Sequence, residues 1–412
     1  MQTQDRVLGE FRPGLSVYIQ GAVGEPLALR GLLAGAPAAL EGTRLTSCLI
    51  PGINEFDYAA LDPRASLTSF MMSPALRASF EAGRTKLRPL PYSEIARALM
   101  TDPVFDLAIL QVAPPDARGL CSLGPCADFA PLVWPRARRI LAFINPRWPA
   151  ARRGPAIPRS AIDVAIEAEG PFITQAAAAV GDAQHAIAAR VAGLIPDGAA
   201  VQSGIGGAPG AVIARLQGHR RLRICSGLVT EDYRTLAVAG ALDENAGHRT
   251  GVALGSETFV SWAAETLAFA DVTVTHGADI LAATPRLFAI NAALEVDLFG
   301  QANVEWRAGR LVSGLGGAAD FARGARRSEG GRAILCLPAT AGAGKISRIV
   351  PRLEAPTVSL SRDEADLVVT EHGVADLAGL DLDARARALM AVAANAHREP
   401  LERAWRTMRN AF

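Results

Sequence analysis

The sequence lacks a strong net charge, because 42 lysine and arginine residues almost balance 41 aspartate and glutamate residues. The net charge of +1 provides no global field that would attract a nucleic acid or an anionic membrane. Charged residues are also scarce, at 20%, whereas hydrophobic residues make up 50% of the 412 residues. This composition excludes extensive disorder, and the length predicts two compact domains with large cores.

Cysteine is rare, and its five copies are spread along the chain without a C-x-x-C pair. This pattern favours reduced thiols and excludes a zinc finger, so we expect no metal. Residues 1–6 lack the basic and apolar regions of a signal peptide, and no apolar run reaches the roughly 18 residues of a membrane span. We therefore expect a cytoplasmic protein that binds neither membrane nor nucleic acid.

Several common catalytic and nucleotide-binding motifs are missing. The sequence contains no G-x-S-x-G elbow and no H-E-x-x-H pair, which argues against a serine hydrolase and a zinc protease. The glycine loop at 203–210 (S-G-I-G-G-A-P-G) departs from the dinucleotide fingerprint at Pro209 and Ile224. Residues 342–347 (G-A-G-K-I-S) resemble a P-loop, but Ala339 and Ile346 replace the required glycine and Ser/Thr, so we exclude a nucleoside triphosphatase.

Short apolar runs alternate with alanine- and leucine-rich segments along the whole chain, which predicts an α/β fold with mainly parallel sheets. Helices are predicted at 27–33, at 174–194 and from the end of the glycine loop to 217. The domain boundary is predicted near 162–172, giving domains at 1–168 and 169–412. Strands are predicted at 15–19, 105–112, 139–144, 199–202, 222–224, 272–274, 333–337 and 367–369.

Two glycine loops are candidate ligand sites. The loop at 203–210 lies between a predicted strand and a predicted helix, where glycines let a ligand approach the backbone and helix N–H groups can bind an anion. A second loop at 314–321 (G-L-G-G-A-A-D-F) leads into four arginines, which suits a phosphate-bearing ligand. A tight turn and a solvated arginine face are the alternatives. These arginines are Arg323, Arg326, Arg327 and Arg332.

Seven stretches, in order along the chain, together resemble the acetyl-CoA hydrolase/transferase family, which comprises class I CoA-transferases similar to 4-hydroxybutyrate CoA-transferase. They are L-Q-V-A-P-P-D-A-R-G-L-C-S-L-G at 110–124, I-N-P at 144–146, G-I-G-G-A-P at 204–209, I-N-A-A-L-E-V-D-L-F-G-Q at 290–301, G-L-G-G-A-A-D-F-A-R-G-A at 314–325, S-R-I-V-P at 347–351 and V-T-E-H-G-V-A at 369–375. The resemblance implies two CoA-transferase-like (NagB/RpiA-like) α/β domains with an active site between them. It also implies a homodimer that takes coenzyme A as a substrate, with an acyl-CoA and a small carboxylate as partners.

The resemblance also implies a mechanism, in which a glutamate attacks the thioester and becomes a glutamyl-CoA thioester while backbone donors stabilise the oxyanion. The donors would come partly from 204–208, with Lys345 as a weak phosphate candidate. The positions assigned to CoA or substrate binding are Gly204, Ile205, Gly206, Gly207, Ala208, Leu294, Gly316, Gly317, Ala341 and Lys345.

The nucleophile of the family is missing from this chain. Its strand-end motif matches I-C-S-G-L at 224–228, which puts Gly227 at the glutamate position and Cys225 at the preceding histidine. Glu231 follows four positions later and is the candidate catalytic carboxylate. If a helix began near Ser226, positions 227 and 231 would lie about 6 Å apart along its axis.

Three functions are consistent with this pattern, so whether the protein is an enzyme stays open at this point. In the first, the protein is an acyl-CoA transferase or hydrolase in which water or a substrate carboxylate attacks directly, with Glu231 as general base. In the second, it is a non-catalytic relative that binds CoA. In the third, it is a partner subunit of an active paralogue. Cys225 and four other carboxylates are weaker catalytic candidates, because such groups are more often structural. These carboxylates are Glu295, Asp297, Glu305 and Glu371.

Overall fold

The computed structural model describes residues 3–175 and 179–411, which divide into two compact units. The first unit takes its described residues from 1–176, 248–275 and 312–316. The second takes them from 177–247, 276–311 and 317–412. Each unit is therefore assembled from several stretches of the chain. The α/β class predicted from the sequence is confirmed.

Strands and helices follow one another along the described chain. The strands are β1 Ser16–Ile19, β2 Arg44–Thr46, β3 Ser66–Ser69, β4 Thr85–Leu87, β5 Leu107–Val112, β6 Leu120–Ser122, β7 Ile140–Ile144, β8 Ala156–Pro158, β9 Val164–Glu167, β10 Ala200–Ser203, β11 Arg223–Val229, β12 Arg249–Ala253, β13 Ala268–Phe269, β14 Leu287–Ala292, β15 Glu295–Asp297, β16 Ala302–Asn303, β17 Trp306–Arg307, β18 Arg310–Leu311, β19 Arg332–Cys336, β20 Thr340–Ala341, β21 Ile346–Ser347, β22 Ile349–Val350, β23 Leu367–Thr370 and β24 Gly373–Asp376. The helices are α1 Thr3–Leu8, α2 Leu27–Gly35, α3 Arg77–Glu81, α4 Tyr92–Thr101, α5 Ala130–Val133, α6 Asp182–Ala192, α7 Gly207–Arg215, α8 Glu231–Val238, α9 Glu257–Thr266, α10 Val272–Thr275, α11 Ala278–Ala282, α12 Ala318–Arg327, α13 Leu382–Ala391 and α14 Asn395–Arg409.

The first unit is built on a seven-stranded sheet in the order β4-β3-β2-β1-β5-β7-β9. Every neighbouring pair in this sheet is parallel. The strands β5 and β7 are buried along their whole length, as their continuous apolar sequences predict. The unit also contains an antiparallel pair of β6 with β8 and a parallel pair of β12 with β13.

The second unit is built on strands in the order β11-β10-β14-β19-β23-β24, which are parallel except for the hairpin of β23 and β24. The chain places β11 on one side of β10 and β14 on the other, so the strand order reverses between β10 and β14. In open parallel sheets, ligands bind outside the carboxyl ends of the strands at such a reversal. The topology of the second unit therefore points to the carboxyl edge of its sheet, and above all to the ends of β10 and β14.

One predicted strand, 272–274, is wrong. The sequence V-T-V is rich in β-branched residues, but Val272–Thr275 forms the short helix α10. The carboxylate of Asp271 accepts hydrogen bonds from the backbone N–H and the hydroxyl of Thr273. The carbonyl of Asp271 also accepts from the N–H groups of Val274 and Thr275. This capping closes a helical turn that strand propensity alone does not predict.

The predicted helix at 174–194 is too long at its start. Residues 174–175 and 179–181 are not helical, 176–178 lie outside the described residues, and α6 begins at Asp182 after Gly181. The apolar run at 290–299 is divided between β14 and β15. In the described part of the chain, no helix combines the length and the apolar character needed to cross a membrane.

Candidate active site

The residues predicted to form the site follow four adjacent strands of the second unit. The glycine loop at 204–208 follows β10, Gly227 lies near the end of β11, Leu294 follows β14, and Ala341 comes after β19. Because the carboxyl ends of parallel strands meet at one edge of a sheet, these residues share that edge. We call it the carboxyl edge of the second unit.

Gly204 is packed so closely that no other residue would fit without a shift. A Cβ atom on Gly204 would lie 2.7 Å from Oδ1 of Asn291, which is closer than van der Waals contact. Asn291 is buried and exchanges two hydrogen bonds with Gln202, with N···O distances of 3.3 and 3.2 Å. This amide pair links β10 to β14 at the point where the strand order reverses. Glycine at 204 is therefore required by the packing.

The glycine loop turns directly into helix α7. Gly206 has φ +145°, a conformation that L side chains rarely adopt, and it precedes the first residue of the helix, Gly207. The N–H groups of Gly207 and Ala208 lie in the first turn, where an α-helix has no internal acceptor for them. Ala208 is 6% exposed, whereas Ile205 is 45% exposed. The loop thus offers backbone donors and the positive end of a helix dipole to a negatively charged group.

Gly227 lies within β11 and not in a helix, so the helical spacing between 227 and 231 considered for a helix starting near Ser226 is wrong. Arg223 of β11 pairs with Ala200 of β10, and continuing this register sets Gly227 level with Gly204. The hydroxyl of Ser226 donates to the carbonyl of Leu228 over 2.7 Å, and its oxygen lies 3.4 Å from the carbonyl oxygen of Ser203, in agreement with that register. Both glycines therefore lie near the carboxyl ends of two neighbouring strands.

The imidazole of His276 packs against Gly227 and also against Gly317. A Cβ atom on Gly227 would lie 2.5 Å from Cε1 and 2.7 Å from Nε2 of His276. A Cβ atom on Gly317 would lie 2.5 Å from the same Nε2. His276 is 4% exposed and its ring meets that of Phe321 edge-on, with centroids 4.9 Å apart. The ring thus brings together the two glycines that the family resemblance marked as the nucleophile position and a CoA contact.

Burial lowers the pKa of His276 to about 3, so the ring is neutral near pH 7. The sequence did not single out His276, because one of six scattered histidines carries no motif. The only signal was indirect. A glycine at 227 leaves room that another buried side chain has to fill.

Gly316 and Gly317 fall on opposite sides of the division between the units. Gly316 has φ +56° and its carbonyl accepts a hydrogen bond from the N–H of Tyr92 in the first unit. Gly317 immediately precedes α12 in the second unit. Both glycines are thus needed by the backbone or by close packing, whatever ligand the loop contacts.

The arginines of α12 do not form a free phosphate site. Arg323 forms an ion pair with Glu364, Arg326 lies 3.7 Å from a carboxylate oxygen of Asp366, and Arg327 lies 3.9 Å from one of Asp279. These carboxylates compete with any phosphate for the guanidinium groups. The structure therefore favours the alternative of a charged helix face for these three residues.

The P-loop-like segment is a β-hairpin. Ala341 of β20 pairs with Ile346 of β21, and Lys345 is exposed in the turn between them. The turn contains Gly342, Ala343 and Gly344 with positive φ. The strand β22 follows this hairpin, whereas a P-loop leads directly into a helix whose N-terminus binds the phosphates.

Glu231 is the first residue of α8, and 45% of its side chain is exposed. One of its carboxylate oxygens lies 3.9 Å from Nη1 of Arg234, one turn further on. A carboxylate at a helix N-terminus is stabilised by the helix dipole. This position explains Glu231 structurally and leaves its carboxylate accessible to water.

The weaker catalytic candidates have structural roles. Cys225 is buried in the hydrophobic core of the second unit. Asp297 accepts from the N–H groups of Phe299 and Gln301 and so closes the turn after β15, and burial raises its pKa. Glu305 accepts from the hydroxyl of Ser359 over 2.7 Å.

The carboxylates of Glu295 and Glu371 also accept hydrogen bonds within the protein. The carboxylate of Glu295 accepts from the side-chain amide of Asn303, and that of Glu371 accepts from the N–H of Ala339. Within the described ranges, no three His, Cys, Asp or Glu side chains are grouped to hold a metal ion.

The two mainly parallel α/β sheets fit the CoA-transferase class of fold, and comparison with solved structures identifies that class. RipA from Yersinia pestis matches with a TM-score of 0.91 and 26% identity, covering 99% of this chain and 97% of the other. A 4-hydroxybutyrate CoA-transferase from Porphyromonas gingivalis matches with a TM-score of 0.81 and 27% identity, covering 100% and 97%.

Sequence comparison identifies the family. The model of the acetyl-CoA hydrolase/transferase N-terminal domain matches residues 1–169, and the model of the C-terminal domain matches 255–405. The chain is 31% identical over 412 residues to the 4-hydroxybutyrate coenzyme A transferase of Clostridium kluyveri, covering 97% of this chain and 95% of that protein. The chain belongs to the acetyl-CoA hydrolase/transferase family.

Proposed function

We propose that the protein cleaves acyl-CoA thioesters, by CoA transfer between carboxylates or by hydrolysis, without a glutamate nucleophile of its own. Coenzyme A would act as a substrate, together with a small carboxylate when the reaction is a transfer. The proposal is carried by the carboxyl edge of the second unit, where three positions are glycines and have no side chain. These are Gly204, Gly227 and Gly317, and the last two pack against the neutral imidazole of His276.

The backbone donors of α7 suit the thioester oxyanion. We propose that the N–H groups of Gly207 and Ala208 donate to the carbonyl oxygen as it gains negative charge. One such donor contributes about 3 kcal/mol of transition-state stabilisation in a preorganised site. We further propose that CoA contacts the remaining residues of the predicted set, which are Gly204, Ile205, Gly206, Leu294, Gly316, Gly317, Ala341 and Lys345.

Glu231 is our candidate for the general base. Its accessible carboxylate can accept a proton from a water molecule, whose oxygen then bonds to the thioester carbon as the carbon–sulfur bond breaks. The products are a carboxylic acid and CoA. A base tolerates a longer reach than a nucleophile because one water molecule can relay the proton.

A second function is favoured by the same edge. Gly227 has no carboxylate, and Glu231 is held by its position at the start of α8, so the site can bind CoA without turning it over. The outcome of a turnover assay separates this binding protein from an enzyme. On the strength of the resemblance, we also propose that the protein is a homodimer and that it lies in the cytoplasm. Light scattering tests the homodimer, and cell fractionation tests the location.

The test is CoA binding by calorimetry together with CoA release from acetyl-, propionyl- and butyryl-CoA, with and without acetate. Gly206→Ala is the site variant, because its φ of +145° rejects a side chain. Gly218→Ala is the matched control, because a Cβ atom there meets nothing within 4 Å. We expect binding and turnover by wild type and the control, and loss of both in Gly206→Ala. Binding without turnover favours the second function, and no CoA binding contradicts both.

A further inference from the structure

His276 occupies the space into which a side chain at position 227 would extend. The clash of a Cβ atom on Gly227 involves two atoms of the ring, Cε1 at 2.5 Å and Nε2 at 2.7 Å. Carbon atoms in favourable contact are about 3.5–4.0 Å apart. Any residue larger than glycine at 227 therefore requires the ring to move by about 1 Å or more.

The ring is held from other directions as well. A Cβ atom on Gly317 would lie 2.5 Å from Nε2 and 2.7 Å from Cδ2 of His276. The backbone at Gly317 is therefore so close to the ring that the ring cannot shift in that direction. Phe321 closes a further side with its ring inclined by 63°. His276 precedes Gly277, the cap residue of α11, so its backbone is fixed by the start of a helix. The ring is therefore not the flexible end of a side chain, and moving it would disturb the residues packed closely around it.

The charge of the imidazole also matters. The ring is buried and neutral near pH 7, so it adds no negative charge to the edge. The next nearest atom to the Cβ position at Gly227 belongs to the aromatic side chain of Phe321, at 3.5 Å. The arrangement therefore lacks room for an enzyme carboxylate at this point and has an uncharged ring in its place.

We propose that His276 determines which nucleophile this site can use, because its imidazole excludes a carboxylate at position 227. This inference rests on the proposed function for its chemical consequence. In hydrolysis, the oxygen of water bonds to the acyl carbon, the carbon–sulfur bond breaks, and the proton of water passes to the base and then to the CoA thiolate. In transfer, the acceptor carboxylate attacks the acyl-CoA, which gives a mixed anhydride and CoA thiolate. The thiolate then attacks the acceptor carbonyl and releases the donor carboxylate.

Neither route bonds the acyl group or CoA to the protein. For transfer, both substrates must then be present at once, so initial-rate plots intersect. Parallel plots are the kinetic mark of a covalent enzyme intermediate.

The packing is tested by a double-mutant cycle in thermal melting of the full chain, with Gly227→Ala, His276→Ala and the double variant. We expect Gly227→Ala alone to lower the Tm by about 3 °C or more, the usual effect of overpacking in a domain of this size. In the His276→Ala background the same change should lower the Tm by less than about a third of that. Gly218→Ala, which meets nothing within 4 Å, should melt like wild type. An equal loss in both backgrounds, or no loss in either, overturns the inference.

The chemistry is tested by intact-protein mass spectrometry after incubation with acetyl-CoA. Gly227→Glu combined with His276→Ala should gain the mass of a covalent CoA or acetyl adduct that hydroxylamine removes, whereas wild type and Gly227→Glu alone should not. An adduct of equal yield in Gly227→Glu alone overturns the inference, and so does an adduct on wild type. If wild type binds no CoA while the melting cycle shows coupling, the proposed function fails and the exclusion by His276 is supported.

Discussion

Replacing Gly204 with alanine should damage the carboxyl edge of the second unit more than its single methyl group suggests. The new Cβ atom would lie 2.7 Å from Oδ1 of Asn291, which is bonded to Gln202 in a buried amide pair. Either the methyl group pushes β10 away from β14 or the amide pair breaks. Overpacking of this kind costs about 1–3 kcal/mol, and each buried hydrogen bond that is lost adds about 1 kcal/mol.

For a domain of about 200 residues, 1 kcal/mol corresponds to roughly 2–4 °C, so we expect overpacking alone to lower the Tm of Gly204→Ala by about 2–12 °C, and loss of the amide hydrogen bonds to lower it further. The same displacement should weaken CoA binding, measured by calorimetry, because the loop at 204–208 follows β10 directly. Gly218→Ala is the control, since nothing lies within 4 Å of its Cβ. A Tm for Gly204→Ala equal to that of this control would contradict the packing at Gly204, and so would an Asn291→Ala change that restores none of the lost Tm.

Three further predictions concern titrating groups. Glu231→Gln should lower acyl-CoA hydrolysis about 100-fold or more if Glu231 is the general base, while Glu244→Gln, an exposed glutamate, should not; equal rates in both variants remove Glu231 from the mechanism. His276 has a folded-state pKa of about 3 against an ordinary 6.5, so its stabilising contribution is lost as pH falls below 6.5. Urea unfolding should show wild type losing up to about 2 kcal/mol more than His276→Asn between pH 7 and pH 5, and parallel losses would contradict this. Burial raises the pKa of Asp128 to about 7, so ionisation of Asp128 costs stability as pH rises from about 4 to 8. Asp128→Asn should therefore gain relative to wild type at pH 8, by up to about 4 kcal/mol, and a constant difference across that pH range would refute the shift.

Much of the architecture follows from local sequence patterns. The continuous apolar runs of β5 and β7 predicted buried parallel strands, and each of them has a parallel neighbour on both sides. The glycine loop after β10 was correctly placed between a strand and a helix. Strand 272–274 failed because a single side chain, Asp271, closes a helical turn. Strand propensity counts the β-branched residues that follow Asp271 but does not take the capping hydrogen bonds into account.

The candidate site was predictable only in part. Gly204 and Gly317 were predicted as CoA contacts from their motifs, and the structure gives each a close packing contact that favours glycine. The arginines after the second loop looked suited to phosphate, but their carboxylate partners come from distant parts of the sequence. His276 could not be found, because it reaches Gly227 only through the fold. Contacts between residues far apart in the chain leave no periodic signal.

The most direct test of the central claim is a crystal structure of wild type with CoA bound. We expect the CoA sulfur to lie at the carboxyl edge of the second unit, beside Gly227 and the ring of His276, with the N–H groups of Gly207 and Ala208 facing the position of the thioester oxygen. CoA bound away from this edge, or a carboxylate side chain in contact with the sulfur, would contradict this expectation.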